Sequence, residues 1–517
     1  MRTILIGYAK LSLERAGAFI YNSSRYALLT SSIFPLGKHR PISMPGVDKE
    51  DCLMIHSLPQ KIGKSIIYAA LGLLLCFMIA RPACALTIEE EKKVGKELYE
   101  KLGKNGDLER NARVETYITN LGNRLLANSK PVFDFRFSVI KNSGINAFAT
   151  PGGYVYIFRG LINLAETEGE LAGVLAHEIA HINARHIASM AEKSGKISIA
   201  TLAALLAGAL FGGGGQAGAA LAAVTMATAT HMSLQYSREH EEDADRLGMA
   251  YLVQSDYEGK AMVDFLKIMR RYEFYSNSIP SYFLTHPGTD ERMRYLDGML
   301  QTTYRMQNGK ESIVGGFKRI QAILALDNKN LDSTLRKYEE DLKNNPDDVD
   351  ILYGLALLQE KTGAIAPAMK TFQKALRLAP DDEDIVRDTG IIYVRAGQPD
   401  EAVKLLRKAY QLNGNNESTL SWLARAYEAT GDYEIALDLY RKLETRKIGD
   451  VDIYYNIAMT YGRTNHPGES HYYFGIFFKE KNRKDSALFH FKSALPHFPK
   501  DSDRALAIEK EIKALKK

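Results

Sequence analysis

Hydrophobic positions recur at helical intervals along most of the chain. Over residues 87–129, Val94, Leu98, Leu102, Val114, Ile118 and Leu121 stand among charges at spacings of three, four and seven, which predicts helix. Residues 134–142 and 154–158 look like strands. Between them runs Asn146-Ala-Phe-Ala-Thr-Pro-Gly-Gly153, whose Pro-Gly-Gly marks a turn. A long helical stretch follows over about 161–193. From Ile197 to Met232 the chain holds no Lys, Arg, Asp or Glu, only two Ala/Leu-rich arms around Gly212–Gly215. Each arm is short for a membrane span, and Ala and Gly drive insertion weakly. Two readings stay open: a buried helical hairpin, or a flap that touches membrane or substrate. Polarity returns at Ser237-Arg238-Glu239.

Beyond residue 315 the pattern repeats. Gly363, Gly397 and Gly431 are 34 apart, as are Ala368, Ala402 and Ala436. Ala356, Gly390, Ala424 and Ala458 keep the same interval, and so do Tyr393, Tyr427 and Tyr461. Pro346 and Pro380 close successive units. Small residues at these places let paired helices approach, and the tyrosines fill between them. This period resembles the tetratricopeptide repeat, traced to about residue 500, with a last unit (Ala487, Phe491, Ala494, Pro499) offset by an insertion. The resemblance implies a concave solenoid that binds peptides or protein segments; the plainer alternative is a structural solenoid.

Composition sets the class. The chain has 517 residues, 45% hydrophobic and 25% charged, as expected of a globular protein of two or three domains. Its net charge of +5 is uneven. Residues 1–85 hold ten Lys/Arg and four Asp/Glu, leaving 57 basic against 58 acidic residues in 86–517. Nothing there recommends nucleic acid as a partner. All three cysteines, Cys52, Cys76 and Cys84, fall in the same N-terminal stretch. There Lys61 and Lys64 precede the apolar run Ser65–Ala80, followed by Arg81-Pro82 and Ala83-Cys84-Ala85. That is the layout of a secretory signal. Cleavage after Ala85 places the remainder in the periplasm without a cysteine, hence without a disulfide or thiolate ligand. A lipoprotein role for Cys84 is disfavoured by Arg81, which stands where an aliphatic residue belongs. A retained anchor is disfavoured by the length of the run, although peripheral membrane contact fits. Residues 1–53 are too long and mixed for a signal's charged region, and Met54 is an alternative start.

The chemistry lies in His177-Glu178-Ile179-Ala180-His181. On a helix the two histidines are one turn apart and face one metal, while Glu178 sits beside them as a base. A third ligand is needed. Histidines at the spacing of the metzincin extension are missing, since the chain has Ala184 and Ile187 in place of the required Gly and His. His186, five residues past His181, is turned off the shared face. His231 and His240 are isolated and read as surface or packing residues. In the run Ser237–Gly248, Glu241 and Asp245 are i,i+4 on one helix face. One can complete a His₂Glu site while the other orients a ligating imidazole. Spacing alone leaves Glu239 and Glu242 open.

Three features resemble the peptidase family that contains CAAX prenyl protease and HtpX. They are the HEIAH segment, the Ser-Arg-x-x-Glu-x-x-Ala-Asp order from Ser237, and the Asn146-Ala-Phe-Ala…Pro-Gly-Gly lead-in. The resemblance implies Glu241 as the third ligand of one Zn²⁺ and Asp245 as the support behind a ligand. It also draws attention to Thr285-His286-Pro287, where His286 is implied as a reversible ligand on a lid; the alternative is an ordinary loop histidine. The fold expected is mainly α (α+β): a zincin-like metallopeptidase domain with a small sheet at 86–310, then an α-helical tetratricopeptide solenoid at 315–517. The implied activity is zinc-dependent peptide hydrolysis in the cell envelope, with unfolded outer-membrane proteins as substrates and the repeats docking on outer-membrane assembly machinery. Substrate would add as a strand along Tyr154–Phe158 or along Asn146, Ala147 and Phe148. A chaperone or assembly scaffold with secondary protease activity is the alternative. A CAAX-type membrane protease is disfavoured by the missing spans.

Overall fold

The computed structural model describes residues 86–127, 129–193, 236–276, 280–446 and 451–516, within one compact unit, Ala83–Lys517. The signal-like stretch and the segment Ile197–Met232, with His231, lie outside the described residues.

The first part is helical around one small sheet: α1 Ile88–Asn105, α2 Ala112–Leu126, β1 Arg136–Ile140, β2 Ala147–Thr150, β3 Tyr154–Phe158, α3 Arg159–Leu164, α4 Glu168–Asn183, α5 His186–Lys193, α6 Arg238–Gln254, α7 Lys260–Ser276, α8 Ser281–Thr285 and α9 Thr289–Gln301. The helical stretch expected over about 161–193 consists of three helices. Thr167 and Glu170 make a reciprocal cap that starts α4 afresh. At the other end Arg185 takes φ +53, which turns the chain back before α5.

β3 is the central strand, parallel to β1 and antiparallel to β2. Both edges of β3 are therefore paired, and the expectation that Tyr154–Phe158 receives an added strand is corrected. Alternate β3 residues face opposite layers. Val155 and Ile157 join the core made by Ile118 and Leu121 of α2 and Leu171, Leu175 and Ile179 of α4. Tyr156 and Phe158 pack with Val94, Leu98 and Leu102 of α1. Full burial of each such aliphatic or aromatic side chain contributes about 1.5–3 kcal/mol, so α4 is clamped between the sheet and the later helices.

The second part is a helical array: α10 Phe317–Ala325, α11 Asp332–Asn344, α12 Val349–Lys361, α13 Ile365–Leu378, α14 Glu383–Arg395, α15 Pro399–Leu412, α16 Glu417–Thr430, α17 Tyr433–Thr445, α18 Asp452–Arg463, α19 Pro467–Glu480, α20 Lys484–Ala494 and α21 Asp503–Leu515. The glycine column ends a helix in each unit. Gly363, Gly397 and Gly431 have φ between +73 and +91, a left-handed turn that a side chain resists. Ala368, Ala402 and Ala436 are fully buried where helices meet.

The two parts share one core. Phe317, Ile320, Tyr353, Phe372 and Ile385 of the array belong to the same apolar cluster as α2 and α4. Polar contacts reinforce the junction: Arg113 of α2 reaches Asp388 of α14 at 3.3 Å. Glu168, the first residue of α4, is buried and accepts from the backbone N–H groups of Ile313, Val314 and Gly315 at 2.7–2.8 Å. The hydroxyls of Tyr257 and Tyr117 also donate to it, at 2.8 and 3.2 Å.

Candidate metal centre

The structure brings His177 and His181 of α4, Glu241 of α6 and His286 of the loop after α8 to one point. One ligand atom from each lies within 4.8 Å of all the others, and all four residues are buried. α6 can lie against α4 because Gly248 has no side chain: a Cβ there would meet the His177 backbone nitrogen at 3.0 Å. Ser237 caps α6 by accepting from His240 N. Glu241 and Asp245 then point at α4 one turn apart.

His177 is oriented from behind. Its Nδ1 lies 2.8 Å from Asp245 Oδ1 and donates to it, so Nε2 is the nitrogen that faces the centre. His177 Nε2 and His181 Nε2 are 3.0 Å apart. Glu241 oxygens stand 3.5 Å from His177 Nε2 and 3.4 Å from His181 Nε2. His286 Nδ1 is 3.3 Å from His177 Nε2 and 3.0 Å from Glu241 Oε1. Four-coordinate zinc with bonds of about 2.0–2.1 Å places its ligand atoms about 3.3 Å apart, so these spacings fit that ion. The polar atoms fit as well. Both Glu178 oxygens and His286 Nε2 are buried without a hydrogen-bond partner among the described residues, 3.4 Å separating Glu178 Oε1 from His286 Nε2. Buried acceptors left in that condition are costly unless a cation or substrate meets them.

Arg292 of α9 holds the acidic pair. Its Nε and Nη2 donate to Asp245 at 2.8 and 2.7 Å, and its Nη1 lies 2.7 Å from Glu241 Oε2. Tyr295 OH also donates to Asp245. Burial alone would raise both carboxyls, but Arg292 together with His286 holds Glu241 well below the usual carboxylate range, and Arg292 with His177 does the same for Asp245. Glu178 is the opposite case: burial pushes its carboxyl up, against His286 and His177. Burial also drives His181 far down, which favours the neutral, ligating form. His177 is pushed up to about 9, because Asp245 outweighs burial and Arg292.

His186 does not join the four donors, as its spacing implies, but the turn at Arg185 folds it back so that its Nδ1 lies 2.9 Å from His181 Nδ1. His240 is not isolated: its ring stacks on His186 at 4.5 Å. Glu239 is exposed, and Glu242 pairs with Arg246 at 2.9 Å, so neither joins the group. Ala147 and Phe148 begin β2, an edge strand, and Asn146 immediately precedes it. Phe158 N donates to Asn146 O; alternation along the antiparallel pair then turns the backbone N–H and C=O of Ala147 and Ala149, both buried, to the edge that has no strand partner among the described residues. Ala149 borders a small recess with His181. Sequence reasoning missed Arg292, Tyr295 and Tyr236, whose ring stacks on His181 at 3.8 Å. The signal available was Arg292 and Tyr295 at i,i+3, just beyond His286.

A helical domain with a small sheet, a buried His/Glu group able to hold a metal ion, and helical repeats behind it is the class that this architecture and donor set define. Residues 108–300 match the model of peptidase family M48, and residues 320–461 match that of the tetratricopeptide repeat. Among curated relatives, the putative beta-barrel assembly-enhancing protease of Vibrio cholerae is 37% identical over 210 residues, covering 40% of this chain and 43% of that protein. The beta-barrel assembly-enhancing protease of Escherichia coli K12 is 32% identical over the same shares. The mitochondrial metalloendopeptidase OMA1 of Schizosaccharomyces pombe is 28% identical over 42% of this chain and 62% of its own length. The matched stretch thus spans less than half the length of the first two relatives. Among the described residues no helix is long and apolar enough to cross a membrane.

Proposed function

We propose that this chain is a zinc-dependent endopeptidase of the cell envelope that removes misfolded or stalled outer-membrane proteins, with its repeats docking protein partners. The observation that carries the reading is the group of four buried residues whose ligand atoms lie within 4.8 Å of one another, beside a buried carboxylate without a hydrogen-bond partner among the described residues. The names of the Vibrio cholerae and Escherichia coli relatives support the substrate class, and the charged, apolar and small-residue pattern before Ala85 supports export.

In this reading His177, His181 and Glu241 hold the zinc. Bound there, zinc supplies a Lewis acid that polarises the scissile carbonyl and acidifies a water. Glu178, its carboxyl raised by burial, takes the water's proton and returns it to the leaving amine. Substrate pairs in extended form with the Ala147 and Ala149 backbone at the edge of β2 that has no strand partner among the described residues. His286, with Nε2 3.4 Å from Glu178 Oε1, would compete with a water beside that base, and in this reading its loop moves away before cleavage.

The test is Glu178→Gln in the full chain. The variant should bind zinc as the wild type does and lose about 10²–10⁴-fold in cleavage of an unfolded protein such as casein. A variant that still cleaves at the wild-type rate removes Glu178 as the base. Complementation separates the scaffold alternative, since a scaffold tolerates the change.

A further inference from the structure

The two histidines of the centre are supported by different devices. Behind His177 stands a buried carboxylate tied to Arg292. Behind His181 stands another imidazole. His186, itself buried, places Nδ1 at 2.9 Å from His181 Nδ1 and Nε2 at 3.2 Å from Asp243 Oδ2. We propose that Asp243 and His186 form a positioning relay that fixes the proton of His181 on Nδ1 and so presents its Nε2 to the metal. This rests on the reading of the centre as a zinc site.

Proton counting carries the inference. Two Nδ1 atoms 2.9 Å apart share one hydrogen bond, so one of them donates and the other accepts. If His186 Nδ1 donates, the proton of neutral His181 moves to Nε2, where it blocks ligation. A carboxylate can only accept, so Asp243 takes the hydrogen of His186 Nε2 and leaves His186 Nδ1 as the acceptor. His181 Nδ1 then donates, and its Nε2 is a lone pair 3.0 Å from His177 Nε2 and 3.4 Å from Glu241. Stacking holds both rings in plane: Tyr236 lies on His181 at 3.8 Å and His240 on His186 at 4.5 Å. The outer end of the relay is in water, since the Asp243 side chain is 54% exposed. His181 is therefore steadied through a contact that solvent reaches, whereas His177 is locked in the interior.

The experiment is a zinc titration of the full chain against a competing chelator, at neutral pH. Loss of an outer support of this kind costs about 10–100-fold in metal affinity. His186→Phe keeps the ring and should fall in that range. His186→Gln offers an oxygen to His181 and an N–H to Asp243, and should recover most of the affinity. Asp243→Ala removes only a half-exposed group, should fold normally, and should lose affinity by a smaller factor. In zinc-free wild type, ¹⁵N spectra of labelled histidine should show the proton of His181 on Nδ1 and that of His186 on Nε2. Unchanged affinity in Asp243→Ala and His186→Phe overturns the relay. So does a Gln variant as weak as the Phe variant, or a His181 proton on Nε2. Should wild type bind no zinc while both tautomers stand as stated, the zinc reading falls and the relay survives.

Discussion

Glu168 should be among the residues on which stability depends most, although it touches neither substrate nor metal. Its carboxylate receives five donors: three backbone N–H groups of the segment leading into α10 and two tyrosine hydroxyls. Ile313, Val314 and Tyr257 donate to Oε1, while Gly315 and Tyr117 donate to Oε2. Glu168→Gln can keep the oxygen on the first side. Its amide nitrogen then faces Gly315 N–H, which loses its acceptor, while the Tyr117 hydroxyl can rotate and accept. An unsatisfied buried N–H costs about 1–3 kcal/mol, and each bond that loses its ionic partner weakens by about 1 kcal/mol. Relief of the buried charge offsets part of this, so the net loss should be about 2–4 kcal/mol. Glu168→Ala strands all five donors and should cost more. Urea unfolding should be followed by far-ultraviolet ellipticity and by the fluorescence of Trp422, the single tryptophan, which lies in α16. Two probes are needed because a chain of this size need not unfold in one step. Glu166→Gln is the control: its ion pair with Arg271 is more than half exposed and is worth under about 1 kcal/mol. A Glu168→Gln protein within about 0.5 kcal/mol of wild type by both probes would refute the reasoning.

His286→Ala opens the position that His286 Nδ1 takes beside Glu241 and frees Glu178 from its neighbour, so casein cleavage should rise several-fold while zinc stays bound; an unchanged rate removes the lid. At the junction, burial would raise Asp388, but Arg387 and Arg113 override it and bring the carboxyl down to about 2. A carboxyl depressed when folded contributes above its unfolded value near 4, and the contribution fades as pH falls from about 4 toward 2. The stability gap between wild type and Asp388→Asn should therefore shrink by about 2 kcal/mol across that window; a gap constant between pH 5 and 2.5 contradicts the assignment.

What the sequence made legible was whatever repeats or keeps a fixed interval on one helix. The 34-residue columns require small residues and a left-handed glycine at set places, and each column can be read without knowing its partners. His177 with His181, and Glu241 with Asp245, are each one turn apart, so their shared faces follow from helical geometry. The joining of the two pairs does not follow from it. It depends on the close approach of α6 to α4 at Gly248, and on Arg292, which arrives from α9. His186 shows what the helix argument leaves out. Five residues past His181 in an unbroken helix, it would point away; the break at Arg185, φ +53 in a residue that is not glycine, reverses the chain and sets one imidazole behind the other. Glu168 escaped for a related reason. In sequence it is an ordinary acidic first-turn residue, favourable at any helix start. Its role exists only because residues 313–315, some 145 positions on, bring their N–H groups to it. The helix that carries His177, Glu178 and His181 thus begins on the carboxylate that grips the entry to the repeats. A load on the repeat array consequently has a direct mechanical path to the start of the helix bearing the base and two of the donor histidines.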